Sequence, residues 1–167
     1  MEKQKKNLIH FISHILLIIF LIGEIITFFV FYNQAGNVII RNIGYMLWIV
    51  SAILGWLPIY EFRKRGGVPA KQSFVKTTKL VDTGIYSICR HPQFLGGMLI
   101  GLSLFLVAQH WVVVIFGILV IAIFYLGVLE AERSALEKFG QDYQQYKKRV
   151  PRLNFILGIL RLLKNKK

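Results

Sequence analysis

Four long apolar segments constrain this chain more than any other feature. They cover residues 8–32, 43–60, 92–108 and 111–129. A helix needs roughly 20 mostly apolar residues to cross the hydrocarbon core of a bilayer, and each segment is near that length. We therefore predict an all-α integral membrane protein with about four transmembrane helices.

The composition excludes several other classes of protein. Of the 167 residues, 55% are hydrophobic and 17% are charged, whereas an average soluble domain has about 25% charged residues. A soluble enzyme, a disordered chain and a secreted disulfide scaffold are therefore excluded. Cys89 is the single cysteine, so we expect no internal disulfide and no metal site.

The basic residues are distributed unevenly along the chain. There are 21 Lys and Arg residues against 8 acidic ones, and with four spans all but Arg41 fall on one side of the membrane. The positive-inside rule then predicts a multi-pass protein with cytosolic N- and C-termini. Because these residues flank apolar segments, we expect membrane lipids as partners and no nucleic acid.

The third and fourth spans form a predicted helical hairpin. Only Gln109 and His110 separate them, which is the length of a tight connection. The two cytosolic ends of the hairpin should then be neighbours. Arg90 and His91 at the start of the third span should therefore lie near Glu132, just after the fourth.

The junction at Pro92 predicts a helix start. Proline is favoured at the first helical position, which makes His91 the N-cap and directs the next backbone N–H groups at the cytosol, those of Gln93, Phe94 and Leu95. Together with Arg90 they form a possible anion site at a helix N-terminus. The alternative is that Arg90 contacts lipid phosphates and His91 only caps the helix.

Gly97 and Gly101 form a small-residue pair in the third span. In membranes such pairs usually allow close helix packing; the alternative is room for a flat ligand. Glu24 is the one acid deep within a span, and ionisable residues there are candidates for a function.

The segment after Glu130 is a charged tail that runs over residues 130–167. Apolar residues recur in it at spacings of three and four, as on one helix face, with a break predicted at Gly140; they are Leu136, Phe139, Tyr143, Tyr146 and Val150. This amphipathic helical tail could lie on the bilayer or fold as a lid over the cytosolic end of the hairpin.

Two sequence blocks resemble a known family. Gly84-x-Tyr86 followed by Arg90-His91-Pro92-x-x-x-Gly96 is similar to the first signature of the isoprenylcysteine carboxyl methyltransferase family. The block from Glu132 to Pro151, with Phe139-Gly140 and Tyr143-x-x-Tyr146-Lys147-x-Arg149-Val150-Pro151, resembles the second. The broader group includes phospholipid N-methyltransferases. The first two spans carry no such signature.

The resemblance implies a single membrane methyltransferase domain over residues 1–167 that uses S-adenosylmethionine. In this family the cofactor lies at the cytosolic end of the hairpin beneath the C-terminal segment, and a lipophilic acceptor enters from the bilayer. By position, the cofactor-binding residues would be Tyr86, Arg90, His91, Gln93, Phe94, Leu95, Gly96, Glu132, Tyr143 and Tyr146. Arg149, with Arg90, would be catalytic.

The chain departs from the family pattern at two positions. Ala131 stands where an acid is usual, and Glu130 cannot replace it because residues two apart on a helix differ by about 200°. Phe94 replaces a usual tyrosine.

The proposed ligand is chemically compatible with these residues. Arg90 and the helix N-terminus suit a carboxylate, and Glu132 suits a cation or ribose hydroxyls. Methyl transfer is an in-line displacement that depends on positioning in a dry pocket. Arg149 could orient the carboxylate of an acceptor, such as a prenylcysteine-like molecule, through a bidentate pair of hydrogen bonds. For an amine acceptor the positive charge of Arg149 has the wrong sign.

The sequence leaves three alternative functions open. A phospholipid amine N-methyltransferase would share the fold and the cofactor. A membrane NADPH-dependent reductase would share the C-terminal hairpin. A small multidrug transporter would account for Glu24 but leaves both sequence blocks unexplained. The oligomeric state does not follow from the sequence.

The predicted topology can be tested by cysteine labelling of intact cells. Single cysteines at Gln34 or His110 should react with a membrane-impermeant reagent, whereas cysteines at Gln72 or Gln144 should not, because the 20-to-1 split of basic residues places the latter in the cytosol. External labelling at Gln72 would contradict this orientation.

Overall fold

The computed structural model describes residues 2–69, 71–73 and 76–164. The side chains of residues 2–7, 9 and 10 are outside the described part. The predicted orientation partly depends on Lys3, Lys5 and Lys6, whose side chains therefore lie outside the described part. Residues 165–167, at the end of the predicted tail, also lie outside it.

Five α-helices make up most of the described chain. They are α1 (Glu2–Val30), α2 (Val38–Arg65), α3 (Pro92–Ala108), α4 (Trp111–Arg149) and α5 (Phe155–Lys164). A short 3₁₀ turn, Gly84–Ser87, precedes α3. No strand occurs in the ranges given above, and the all-α prediction is confirmed.

Three of the described helices are long and apolar enough to cross a membrane: α1 over Phe11–Val30, α2 and α4. The protein is thus an all-α integral membrane protein, as predicted. α3 has 17 residues, which is about 25 Å of helix against a hydrocarbon core of about 30 Å. The four-span topology stays a prediction.

The helix boundaries follow the sequence signals closely in the second half of the chain. α3 begins at Pro92 and ends at Ala108, and α4 begins at Trp111, all as predicted. α2 extends on both sides of the predicted span 43–60. It begins earlier, at Val38, and it ends later, at Arg65, because the helix continues through charged residues beyond the apolar stretch.

Gly140 interrupts α4 as the sequence predicted. Its backbone angles, φ 52° and ψ −122°, are not helical. This conformation has a positive φ, which glycine adopts without the steric cost of a side chain. The segment is therefore two helical pieces joined at Gly140.

The described residues form two compact units. The first comprises Met1–Ser51 and Gly97–Gly127. Its core contains buried residues from α1, α3 and α4, namely Phe28, Leu104, Val107, Ala108 and Val113. The side chain of Gln109, between α3 and α4, donates to the backbone oxygen of Asn37 at 2.7 Å and to Oδ1 of Asn33 at 3.2 Å. These bonds fix the turn of the hairpin.

The glycines of α3 in this unit serve close packing. A Cβ on Gly101 would lie 3.2 Å from the backbone oxygen of Gly117, and one on Gly97 would lie 2.4 Å from the ring of Phe124. The observation favours the packing interpretation of the small-residue pair. Glu24 is fully buried beside Gly101 and Gly117.

The second unit comprises Ala52–Gly96 and Val128–Lys167. A cluster of Tyr143, Tyr146 and Val150 forms part of its interior, and partly buried apolar residues pack against that cluster, namely Leu80, Ala135 and Phe139. Of the apolar face predicted for the tail, Tyr143, Tyr146 and Val150 are therefore buried within this unit, Phe139 is half-buried and Leu136 is exposed. All the predicted site residues belong to the second unit.

Replacing Gly84 by alanine should destabilise the second unit. Gly84 has φ 60°, and its Cβ would lie 2.2 Å from Oε1 of Glu61. Left-handed strain alone costs about 1–3 kcal/mol for a residue with a side chain, so the Tm in detergent should fall by roughly 2–10 °C. Gly55→Ala is the control, because Gly55 lies within α2 with no atom near its Cβ position. Equal Tm values for both variants would contradict the prediction.

Candidate active site

The buried carboxylate of Glu132 lies at the centre of a cluster of charges. Its Oε1 lies 2.8 Å from Nη2 of Arg90 and its Oε2 lies 2.7 Å from Nη2 of Arg152. Nζ of Lys147 is 3.8 Å from the same Oε2. Because Glu132 and Arg90 are both more than 90% buried, the ion pair between them is poorly screened by solvent.

Backbone hydrogen bonds hold the two arginines of this cluster together. The N–H of Arg90 donates to the oxygen of Pro151 at 3.0 Å, and the N–H of His91 donates to the oxygen of Arg152 at 3.2 Å. The thiol of Cys89 also donates to the Arg152 oxygen, with an S···O distance of 3.3 Å. Burial raises the pKa of Cys89 to about 11, so this thiol stays protonated and able to donate at pH 7.

α3 begins here with His91 as its N-cap, as the sequence predicted. The oxygen of His91 accepts the N–H of Leu95 at 3.0 Å, which is the first backbone hydrogen bond of the helix. The prediction that the Leu95 N–H points freely at the cytosol is therefore wrong, because that group is used within the helix. Gln93 and Phe94 precede this bond and occupy the first turn, whose N–H groups have no helical partner.

His91 is buried against two polar side chains. Its Nε2 lies 3.5 Å from Oε1 of Glu132 and 3.4 Å from the hydroxyl of Tyr143. Burial lowers the pKa of His91 to about 4, Arg90 and Arg152 lower it too, and Glu132 opposes them. The imidazole is thus neutral at pH 7. The ring of Phe94 packs edge-on against it, with a centroid distance of 5.9 Å.

Three tyrosines line the same region. The ring of Tyr86 stacks on Phe62 at 4.8 Å, and its backbone oxygen accepts the hydroxyl proton of Tyr146 at 2.7 Å. Tyr143 and Tyr146 contact each other at a ring distance of 5.8 Å. Burial raises the pKa of Tyr86. The end of α4 is thus folded onto the turn before α3, in agreement with the lid interpretation of the tail.

Arg90 retains unused hydrogen-bonding capacity. Its Nη2 contacts Glu132, whereas its Nε and Nη1 are buried with no hydrogen-bond partner among the residues that the structure describes. Buried donors are rarely left unpaired. These donors of Arg90 could therefore hold an anionic or hydrogen-bond-accepting ligand.

Most of the predicted site residues meet at this cluster. The structure brings together Tyr86, Arg90, His91, Phe94, Glu132, Tyr143 and Tyr146, and places Gln93, Leu95 and Gly96 in the first turns of α3. Arg149 instead pairs with Asp82, with Nη2 3.2 Å from Oδ2, and its side chain is 64% exposed.

Arg152 was not among the site residues predicted from the sequence. This residue follows the second sequence block directly, after Pro151, and its guanidinium makes the shortest contact with Glu132. A basic residue adjoining the block was the available signal. Its role depends on the chain turning at Pro151, which residue spacing does not show.

The chain belongs to a family whose model matches residues 1–150 and is described as a protein of unknown function (DUF1295). It is 37% identical over 86 residues to a mouse protein-S-isoprenylcysteine O-methyltransferase, a match that covers 50% of this chain and 30% of the relative. It is 31% identical over 111 residues to the Schizosaccharomyces pombe protein of that name, with 60% and 47% covered. The predicted resemblance to the isoprenylcysteine methyltransferases is thereby confirmed.

A relative with a different activity also matches. This is a Delta(14)-sterol reductase from Dictyostelium discoideum, 28% identical over 135 residues, which are 71% of this chain and 29% of the relative. The chain spans less than half the length of each of these relatives. No solved structure matches it.

The neutral state of His91 predicts a pH-dependent stability. Its pKa is about 4 in the folded protein against 6.5 as the ordinary value, so the unfolded state binds more protons between these values and stability falls as the pH decreases. From pH 7.5 to pH 5 the loss should be about 2 kcal/mol. Chemical denaturation of the solubilised protein measures it.

His91→Gln provides the comparison for this measurement. Glutamine does not titrate, so the variant should lose about 2 kcal/mol less than the wild type over the same pH range. Identical pH dependence in the two proteins would show that His91 is not the group responsible.

Proposed function

We propose that this protein transfers a methyl group from S-adenosylmethionine to a lipophilic acceptor in the membrane. The observation that carries the proposal is the buried Arg90 whose Nε and Nη1 have no partner among the described residues, located where the two family-like sequence blocks meet. The names of the methyltransferase relatives support the reaction class.

The cluster fits the carboxylate of the cofactor. The free donors of Arg90 would hold it, and the unpaired N–H groups in the first turn of α3 would add further hydrogen bonds. Glu132 already contacts Arg90 and Arg152. We therefore assign it to positioning these arginines, a role different from the direct cation binding considered from the sequence.

The tyrosines and His91 would exclude water from the reacting groups. Tyr86, Tyr143 and Tyr146 are buried, and the bond from the Tyr146 hydroxyl to the Tyr86 backbone closes the lid. The bound cofactor supplies an activated methyl group, and its transfer requires alignment of donor and acceptor more than acid–base chemistry. Neutral His91 is compatible with that requirement.

Arg149 is our candidate for orienting the acceptor. Its guanidinium is exposed and paired with one carboxylate, that of Asp82, so a carboxylate of the substrate could take the place of Asp82 or join it. A prenylcysteine-like carboxylate therefore fits better than a phospholipid amine. We further propose that the site faces the cytosol.

A nicotinamide-dependent reductase is the second candidate. The match to the sterol reductase relative covers 71% of this chain, and the unpaired donors of Arg90 would also suit a phosphate. Direct measurement of S-adenosylmethionine and NADPH binding to the solubilised protein discriminates between the two functions.

Calorimetric titration with S-adenosylhomocysteine tests the cofactor site. Arg90→Gln should weaken binding by roughly 10- to 150-fold, the cost of about 1.5–3 kcal/mol for a lost charge-assisted hydrogen bond. His91→Ala should also weaken binding, because it opens the site to water. Glu132→Ala should have a similar effect through Arg90. Glu24→Gln is the control and should bind normally, because Glu24 belongs to the first unit.

The Tm of each variant, measured without ligand, separates misfolding from a specific effect. A stable Arg90→Gln protein with unaltered affinity for S-adenosylhomocysteine would refute the proposed site.

Arg149→Lys tests the role in orienting the acceptor. Lysine keeps the charge and loses the planar pair of donors, so turnover of a prenylcysteine substrate should fall by about tenfold or more with cofactor affinity little changed. Arg133→Lys is the matched control, since Arg133 is another exposed arginine on α4. Full activity of Arg149→Lys would contradict this role.

A further inference from the structure

α5 exposes the face that is usually buried in an amphipathic helix. Its inner side contains Gly158, which is buried, and Arg161, which is half-buried. The outer side is apolar: Ile156, Leu160 and Leu163, at helical spacings of four and three, are 73%, 58% and 60% exposed. A surface of this kind marks an interaction site.

Two contacts fix this orientation of α5. A Cβ on Gly158 would lie 1.9 Å from the backbone oxygen of Ile88, so only glycine allows this close approach. Nη2 of Arg161 donates to the backbone oxygen of Ser87 at 2.9 Å. The helix therefore cannot bury its apolar side by rotating without losing both contacts.

A basic cleft adjoins α5 within the second unit. It has a volume of about 390 Å³ and is lined by residues from the 3₁₀ turn, the end of α4 and α5, including Ser87, Lys148, Arg149 and Arg161. The guanidinium of Arg149 is paired with Asp82. Nε and Nη1 of Arg161 are buried and have no hydrogen-bond partner within the described ranges, so they are available to a ligand.

We propose that α5 lies in the lipid–water interface and that the adjoining cleft binds the phosphate of an anionic phospholipid through Arg161. Ile156, Leu160 and Leu163 would contact the acyl chains, and Lys148 and Lys164 would lie near the headgroups. The arrangement matches an interfacial helix, with an apolar side toward the acyl chains and cations at headgroup level.

Charge and membrane location favour a lipid over a protein partner. The chain carries 21 Lys and Arg against 8 acidic residues, and three of its described helices can cross a bilayer, so lipid surrounds the molecule. An anionic phospholipid provides in one molecule both the acyl chains and the phosphate that α5 and the cleft require. This inference does not rest on the proposed methyl transfer, but the cleft shares Arg149 with the proposed acceptor site, so a lipid and a methyl acceptor must be distinguished by experiment.

The position of α5 can be measured by fluorescence in lipid nanodiscs. Leu160→Cys, labelled with an environment-sensitive dye, should show blue-shifted emission and strong quenching by brominated phospholipid. Gln144→Cys on the exposed side of α4 is the control and should be quenched by aqueous iodide instead. Unmodified protein is the blank, because Cys89 is fully buried. Iodide quenching at Leu160 would overturn the interfacial position.

The headgroup site can be tested by counting bound lipids with native mass spectrometry. In nanodiscs of phosphatidylcholine with phosphatidylglycerol, Arg161→Gln should lower the apparent affinity for phosphatidylglycerol by about tenfold or more. Arg133→Gln removes the same charge from an exposed site on α4 and should lower it less than twofold. Equal losses in the two variants would show only general charge attraction and would refute a specific site.

A competition experiment separates a lipid from a methyl acceptor in this cleft. Soluble dioctanoyl phosphatidylglycerol should bind the wild type and lose affinity in Arg161→Gln. Arg161-dependent binding of a farnesylcysteine carboxylate without binding of the lipid would overturn the proposal and assign the cleft to the acceptor. Wild type and Arg161→Gln should bind S-adenosylhomocysteine equally. A failure of the proposed lipid site is therefore distinguishable from a failure of the proposed methyl transfer.

Discussion

The ion pairs of Glu132 are the interaction on which the candidate site depends. One carboxylate, buried with Arg90, contacts two guanidinium groups at 2.7 and 2.8 Å. Taking charges out of water is costly, and removing one partner of such a pair leaves the others uncompensated, at a cost of about 3–5 kcal/mol. Glu132 thereby allows Arg90 to be buried with two donor atoms unused. The binding of a ligand by Arg90 that we propose would therefore depend on this carboxylate.

The sequence predicted the helical elements well where local signals were strong. Proline at the first position of α3 and glycine at the break in α4 act through backbone conformation alone, so Pro92 and Gly140 are where expected. The end of α2 was predicted less well. Hydropathy marks where an apolar stretch ends, whereas the helix continues through charged residues to Arg65.

The clustering of the candidate site residues was predictable from the sequence, whereas the contact partner of each residue was less so. The two sequence blocks indicated that Arg90, His91, Glu132 and the tyrosines belong together, and they do lie together. The partner of each group was not predictable, because it depends on tertiary geometry. Glu132 contacts Arg152, outside the blocks, and Arg149 contacts Asp82. The orientation of α5 could not be predicted either, because the spacing of apolar residues does not indicate that Gly158 contacts Ile88.

The backbone bonds from Arg90 to Pro151 and from His91 to Arg152 have a consequence for the order of assembly during translation. They join segments about 60 residues apart, and closing a loop of that length must follow synthesis of its distal end. When Arg90 leaves the ribosome, neither Glu132 nor the backbone acceptors at 151 and 152 have yet been made. Arg90 therefore cannot make these native contacts while α3 and α4 are being synthesised. It can be buried with its native partners only after residue 152 has been added, so the site closes as a late folding step.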